Sequence, residues 1–354
     1  MSGLTGKTVL WWGRFDPDYS RNRILRQAFT ALGWQVTDFR PRISPLGDLE
    51  AALRGDKKAD LLWLPAFRQR DMAAAARWAR RRNVPIIFDP MISAYDKQVF
   101  ERRKFPETSP KAVRLLQKER AIFSAADQVI ADTVGHADFF TQTFGLDEKS
   151  VHVIAVGAEE SLFYPAPLTS KSPEEPLEVL FYGSFIGLQA PEVIVEAAKL
   201  CDAPVHWTLL GDGPLKSACK AAAEGHANIS FEDYLPYGDL PGRIHRAEIL
   251  LGVFGTTDKA ARVIPNKVYQ ALACGRTVIT RESMAYPAPK NDGIIEIPSG
   301  NAKALADQVT GLALARDDGL EARGSAARAY FDQHFSLETI HGQLAKVLEE
   351  LSGR

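Results

Sequence analysis

"RVIPNKVYQALACG", Arg262–Gly275, is the stretch on which the fold turns. It reads as a helix with Pro265 at the first helical position, where a missing N–H costs nothing. Asn266 and Lys267 open it, where Asp or Glu would best suit the helix dipole. An N-terminus left open in this way, flanked by Arg262 and Lys267, is built to receive an anion. Gln270 sits one turn inside.

Short apolar runs surround this helix and alternate with amphipathic segments. Before it stand the strand candidates "EVLFYG", "VHWTLLG", "NISFED" and "AEILLGVFG", with "APEVIVEAAKL" as a helix; "TVITRE" and "GIIEIP" follow. The first half repeats the theme with "TVLWW" (Thr8–Trp12), "WQVTDF", "DLLWLP", "VPIIFD" and "DQVIAD", a helix from about Ser20 to Leu32, and helices in "AAAARWARRR" and "KAVRLLQKERAIFSAA". Strand–helix alternation predicts parallel sheets with helices on both faces, and such sheets bind ligands at the carboxyl ends of their strands. "VGAEESLFYPAPLTSKSPEEPLE" (Val156–Glu178) holds four prolines and reads as a linker. The expected division is therefore α/β throughout: a Rossmann-like domain over 1–160, a linker over 161–177, and a second Rossmann-like domain over 178–335. A C-terminal helix over 336–354, opened by a Ser–x–x–Thr cap, is expected to return toward the first domain. Two such domains in tandem predict a cleft between them.

The bulk numbers fit this size, with 354 residues, 45% hydrophobic and 25% charged. A net charge of −1 argues against nucleic-acid binding. The charge is uneven, however: residues 1–165 hold 25 Lys and Arg against 20 Asp and Glu, the remainder 18 against 24. "RWARRR" and "ERRKF" concentrate the basic excess, as a solvated face or as a surface for an anionic partner such as a membrane. The three cysteines show neither disulfide nor metal spacing, which suits a reducing compartment. No apolar run approaches the ~18 residues of a membrane span. A cytoplasmic protein, at most peripheral to a membrane, is expected.

The first strand–helix loop, "GRFDPDYSRNR" (Gly13–Arg23), lacks the G-x-G-x-x-G of a dinucleotide site. It presents Asp16, Asp18, Tyr19, Arg21, Asn22 and Arg23 at a strand's carboxyl end, groups suited to hydroxyls and anions; the alternative is a plain helix start capped by Ser20. In "FDPMISAYDKQVF", Asp89 follows a strand directly and Asp96 follows Ser93 and Tyr95. A carboxylate there can orient a hydroxyl or act as a base, and Asp89 equally suits a turn before Pro90. In the second half, Gly183 and Ser184 of "YGSF" and Gly211–Pro214 of "LLGDGP" follow strands, and glycines let a backbone approach a ligand closely. Lys259, Arg262 and Lys267 stand by the open helix, so these loops converge on a phosphate or diphosphate. The seven histidines have no ligand spacing; His136 and His152 read as ordinary surface or core residues, and Asp317–Gly319 as a turn.

"GVFGTTDKAARVIPNKVYQALACGRTVIT", together with "YGSFIGLQAPEVIVEAAKL", "LLGDGP" and "ADT…H" (Ala131–His136), resembles the group 1, family 4-like glycosyltransferases of the GT-B fold. The resemblance implies transfer of a sugar from a nucleotide-diphosphate donor to a saccharide, lipid-linked or other hydroxyl acceptor, with retention, without a metal, and with no cofactor besides the nucleotide sugar. It places the donor against the second domain at Gly183, Ser184, Gly211, Asp212, Gly213, Lys259, Arg262, Asn266, Lys267 and Gln270. The acceptor falls to the first, with Asp18, Tyr19, Arg21, Asn22 and Tyr95 beside it and Asp16, Asp89 and Asp96 as candidate catalytic carboxylates. Where many relatives carry two glutamates eight apart, this chain has Arg262 and Gln270, and Gln270 can bond a ribose diol only without charge. Gln189 stands where a basic residue often follows the "GSF" strand, an acidic residue common near Ala288 is absent, and "FDPMISAYD" replaces a usual histidine. A catalytically silent nucleotide- or glycan-binding relative, or a sugar-nucleotide epimerase, is the alternative.

Overall fold

A computed structural model of the chain describes residues 5–55, 58–168 and 175–352. It forms two compact units. The first runs to Gly157 and takes in the C-terminal stretch from Leu337; the second is Ala158–Ser336. In the first, β1 (Thr8–Trp12), β2 (Gln35–Phe39), β3 (Leu61–Leu64), β4 (Ile86–Phe88), β5 (Gln128–Ala131) and β6 (Val151–Val153) pair in parallel in the order β2-β1-β3-β4-β5-β6. Helices α1 (Ser20–Ala31), α2 (Gly47–Leu53), α3 (Met72–Arg82), α4 (Pro110–Phe123) and α5 (Val134–Phe144) connect them. In the second, β7 (Leu177–Tyr182), β8 (Val205–Leu210), β9 (Ile229–Glu232), β10 (Ile249–Leu251), β11 (Thr277–Arg281) and β12 (Ile294–Ile297) pair in parallel in the order β12-β11-β10-β7-β8-β9. Their helices are α6 (Pro191–Leu200), α7 (Lys216–Ala222), α8 (Leu240–His245), α9 (Asp258–Arg262), α10 (Asn266–Ala273), α11 (Ala302–Leu314) and α12 (Arg316–His334). Helix α13 (Leu337–Ser352) closes the chain.

The strands read as unbroken apolar runs because helices cover both faces of each sheet. In β1 and β3, successive residues Val9–Trp12 and Leu61–Leu64 are all buried. Their side chains divide between two cores, Leu10, Trp12, Leu62 and Leu64 with α3 on one face, Val9, Trp11, Leu61 and Trp63 with α1 on the other. Ile340, Leu344, Val347 and Leu348 of α13 complete that second face, at the spacing of one helical stripe. Each such side chain contributes about 1.5–3 kcal/mol on burial.

Both sheets reverse strand order once. In the first the reversal falls between β1 and β3, in the second between β7 and β10. Ligands of doubly wound sheets sit in the crevice at that point, outside the carboxyl ends of the strands. Several local expectations are corrected. Tyr19, not Ser20, is the N-cap of α1, without a side-chain cap bond. Pro265 stands one place earlier than expected, as the extended N-cap of α10. Asp317–Gly319 form no turn; the backbone continues as α12, and Leu320 docks in the core beneath. Of the stretch read as a linker, residues 169–174 lie outside the described residues, while 161–168 is held on the second unit. Arg276 donates there to the Ala166 and Pro167 carbonyls at 2.8 and 3.4 Å, and Phe163 is fully buried.

Candidate functional site

The register of β7 on β8 sets Tyr182 beside Leu210, so Gly183 and Gly211 leave the sheet side by side. The two turns then cross so closely that a Cβ on Gly211 would lie 2.1 Å from the Gly183 carbonyl oxygen. Gly183 and Gly211 also have φ of 145° and 127°, a region L side chains rarely adopt. Into this space points Lys267, in the first turn of α10. Its Nζ lies 3.4 Å from where a Gly183 Cβ would be, and 3.6 Å from the centroid of the Phe181 ring. Lys267 is only 5% exposed, and its Nζ has no hydrogen-bond partner. Burial alone holds this amine well below the usual lysine range. Gln189 faces the same glycine, and its Oε1 is likewise buried and unpartnered. A buried cation without a partner is unfavourable unless an anion arrives. Here it stands at a switch point, at a helix N-terminus with no acidic residue in its first turn.

The other second-unit residues take distinct places. Ser184 and Asp212 are exposed, and the Asp212 carboxylate accepts from the Gly213 N–H at 2.8 Å. Lys259 is buried and Arg262 half-buried on α9, with Asn266 half-buried at the start of α10. Arg281 fixes the approach to α9 by donating to the Gly255 and Thr257 carbonyls, and Ser283 Oγ donates to that of Ala261 at 2.5 Å. Gln270 is not turned out toward a diol. It is 3% exposed, with Oε1 accepting from the Tyr182 hydroxyl at 2.8 Å and Nε2 donating to the Tyr237 oxygen at 3.4 Å. Tyr237 in turn donates to the Glu159 carboxylate. A carboxylate at position 270 would stand in a chain that Glu159 already terminates.

In the first unit, three candidate residues, Arg21, Asn22 and Asp89, are turned inward. Arg21 and Asp89 are both fully buried and pair with each other, Nε lying 2.7 and 2.9 Å from the two carboxylate oxygens. Arg21 also donates to the Ile154 and Ala155 carbonyls. Burial outweighs Arg21 and leaves the Asp89 carboxyl above its ordinary value. With both its oxygens facing Arg21, Asp89 serves this internal pair rather than as a free base or hydroxyl-orienting group. Asn22, 1% exposed, donates to the Asp16 carbonyl at 2.7 Å and thereby shapes the loop instead of facing solvent. Tyr95 and Asp96 are buried as well, at the start of a π-helical turn over Asp96–Glu101; burial raises the Tyr95 phenol. Asp16 and Asp18 are exposed, with the Asp18 N–H donating to Asp16 at 2.9 Å, and Tyr19 meets Phe67 edge-on at 5.3 Å.

Asp132 and His136 lie in the "ADT…H" stretch that carries part of the resemblance, and His136, which reads from the sequence as an ordinary surface or core residue, is buried in a pair with Asp132. They close β5 and open α5, one turn apart, and His136 Nδ1 lies 2.5 Å from Asp132 Oδ1. His136 Nε2 is 4.0 Å from Asp96. Burial pushes the Asp132 carboxyl up, but His136 and Arg21 outweigh it and hold it below the usual range. The available signal is the Asp–x–x–x–His spacing directly after a strand, which sets a carboxylate just ahead of the helix within reach of its first turn.

The loops after β1, β2, β3 and β4 enclose a cavity of about 970 Å³, on the same edge as the β1/β3 reversal. Arg68 ties its floor, bonding Asp71, the Arg14 carbonyl and Ser44 Oγ. Gln69 ties the β3 loop to the β4 loop through the carbonyls of Pro90 and Ile92. Phe67, at its rim, holds φ of 64°, a left-handed conformation uncommon for a bulky residue.

Paired doubly wound sheets with loops gathered at both strand-order reversals define the GT-B class of glycosyltransferase folds. The chain belongs to the group 1 glycosyltransferases: residues 176–314 match the family described as glycosyl transferases group 1, and residues 14–157 the glycosyl transferase 4-like domain. Among curated relatives it is 27% identical over 267 residues to a D-inositol 3-phosphate glycosyltransferase from Streptomyces bingchenggensis, covering 69% of this chain and 57% of that one. The chain spans little more than half the length of the curated relatives it matches. The fold is shared with sucrose-phosphate synthase from Thermosynechococcus elongatus, at a TM-score of 0.74 and 18% identity over 98% of this chain and 99% of that one. It is also shared with HepE of Anabaena solved in complex with UDP, at 0.72 and 15% over 97% and 100%. Among the described residues no helix is long and apolar enough to cross a membrane.

Proposed function

We propose that the protein transfers a sugar from a nucleoside-diphosphate donor to a hydroxyl acceptor, a saccharide or a lipid-linked one, and that the donor's diphosphate seats at Gly183, Gly211 and Lys267. The observation that carries this is Lys267, a buried amine whose Nζ has no hydrogen-bond partner, aimed at a glycine turn and the open start of α10. The leaving group of such a transfer is the nucleoside diphosphate, so fixed cations and helix N–H groups stabilise the charge that develops. Lys267, Lys259 and Arg262 supply that charge from the chain, which supports a reaction without a metal. Retention of configuration belongs to the same reading through the family alone. Binding of UDP and UDP-glucose by HepE makes uridine donors the first to try.

The test is a panel of nucleotide sugars with an acceptor extract, scored for release of nucleoside diphosphate. The reading expects release from one donor class, with a thermal shift by the matching diphosphate; a ligand at 100 times its Kd adds about 2.7 kcal/mol of stability. Nucleotide binding with no release from any donor would favour the silent relative instead, a reading motivated by Gln270 and its closed chain of hydrogen bonds. A changed sugar with no acceptor added would point to an epimerase.

A further inference from the structure

The Gly183 turn holds two unmet side chains, and they are unmet in opposite senses. Lys267 Nζ can only donate and has no acceptor; Gln189 Oε1 can only accept and has no donor. Both atoms are buried, and they do not answer each other. A Cβ on Gly183 would lie 3.4 Å from Lys267 Nζ and 3.9 Å from Gln189 Nε2, so the two side chains flank one small space. The backbone fixes Gln189 there. Its N–H donates to the Ile186 carbonyl at 2.9 Å, and its own carbonyl accepts from the Phe254 N–H at 3.2 Å. The Gly255 turn presses on the same loop, where a Cβ would lie 2.5 Å from the Leu188 carbonyl oxygen. Ala190, next in the chain, caps α6 with a left-handed φ of 50°, a conformation that persists in a residue with a side chain only where its surroundings impose it.

An ionised phosphate completes only half of this pair. Its oxygens accept from Lys267 and from Gln189 Nε2, but it carries no hydrogen for Gln189 Oε1. With solvent excluded, an acceptor left open bears its full desolvation cost. We infer that Gln189 reads a hydrogen-bond donor beside the diphosphate: the substrate is a sugar diphosphate with a hydroxyl or an N–H on the carbon next to the anomeric one, and Gln189 selects for it. A primary amide sets an N–H donor and a carbonyl acceptor side by side, and a phosphate oxygen with a neighbouring hydroxyl is their complement. A lysine or arginine at this place would only donate, and would read the phosphate alone. Because Lys267 brings the charge from α10, position 189 is released to read the sugar. The inference rests on the transfer reading and narrows its donor. A ribose hydroxyl of the nucleoside offers the same chemistry, and the test separates the two sources.

Calorimetric titration of the full chain with UDP-glucose, UDP-2-deoxy-2-fluoroglucose, UDP and 2′-deoxy-UDP tests it. GDP-mannose and its 2-deoxy-2-fluoro analogue repeat the sugar pair on a purine. Fluorine replaces the hydroxyl and offers no hydrogen, so the native protein is expected to bind the fluoro sugar about tenfold more weakly. Gln189→Met and Gln189→Lys should each bring that ratio close to one. Gln189→Lys should also hold the free diphosphate at least as tightly as the native chain, which shows the seat intact and separates lost recognition from misfolding. The ratio of UDP to 2′-deoxy-UDP, whatever its size, should be the same in all three proteins. A native fluoro ratio near one, or a tenfold ratio that survives in Gln189→Lys, overturns the inference. So does a 2′-deoxy penalty that the variants abolish, which would give Gln189 to the ribose. In each of those cases release of nucleoside diphosphate to an acceptor leaves the transfer reading standing. Discrimination at Gln189 with no release from any donor does the reverse, and failure of every ligand to bind removes the diphosphate seat and the inference with it.

Discussion

Two buried cations, one at the strand-end edge of each sheet, are treated in opposite ways. Arg21, on the helix that follows β1, is fully buried and meets a carboxylate, Asp89, directly after β4, two places along the sheet from β1. Lys267 is almost as buried and meets an aromatic ring and a glycine. A cation that brings its own counter-charge is part of the architecture, because the carboxylate answers the charge even though Arg21 Nη2 makes no hydrogen bond of its own. One without a counter-charge leaves an unfavourable site that only something outside the chain can relieve. The contrast therefore divides structural from ligand-binding charge by partner rather than by position, since both stand where ligands of such sheets bind.

The contrast breaks most visibly at Arg21. Arg21→Met should destabilise by about 3–5 kcal/mol in urea denaturation, because it leaves the Asp89 carboxylate buried and unpaired. Adding Asp89→Leu should recover most of that loss, since replacing both members of a buried pair with apolar groups is often close to neutral. A cost for Arg21→Met below about 1 kcal/mol would remove Arg21 from the architecture and return it to the candidate site.

Lys267→Met should show the opposite pattern. No carboxylate is orphaned, so stability should hold or rise. UDP affinity should fall about 10- to 100-fold, the worth of one charge-assisted contact. Calorimetric titration beside the denaturation curve reads both at once. A stability loss like that of Arg21→Met, with UDP affinity unchanged, would make Lys267 structural and dissolve the contrast.

The difference also explains what the sequence could disclose. The second-unit site is written locally. Glycines directly after strands and a helix start without acidic residues each occupy a few consecutive positions, so Gly183, Gly211 and Lys267 could be named from the chain alone. The Arg21–Asp89 pair spans 68 positions. Each residue by itself reads as a polar group offered to a ligand, and only tertiary structure shows that they take each other. Gln270 misled in the same way, because its partners Tyr182 and Tyr237 come from distant segments. Strand β6 escaped because "VHV" is three half-buried residues at a sheet edge, paired only with β5, too short for any periodicity to register. The first-unit cavity is assembled from four strand-end loops and α4, and has no sequence signature at all.

The finest test of the contrast is the proton. In the ligand-free chain, burial depresses the Lys267 amine, whereas the unfolded chain holds its proton to about pH 10.4. Between those two values the unfolded state binds more protons, so stability contributed at this site rises with pH. A bound diphosphate reverses the preference, favouring the ammonium and raising its pKa. Above the folded value, binding must therefore take up a proton, with affinity falling by at most about tenfold per pH unit; below it, affinity is flat. Calorimetry in buffers of different ionisation enthalpy measures the uptake as a difference in observed heat. The expected result is an uptake approaching one proton in the native protein and none in Lys267→Met. Arg21 should contribute nothing, because Asp89 already holds its guanidinium above the ordinary arginine value and in the charged form at every accessible pH. An uptake that survives in Lys267→Met would place the responsive group elsewhere, and would show that missing a partner inside the fold is not enough to mark a ligand-binding cation.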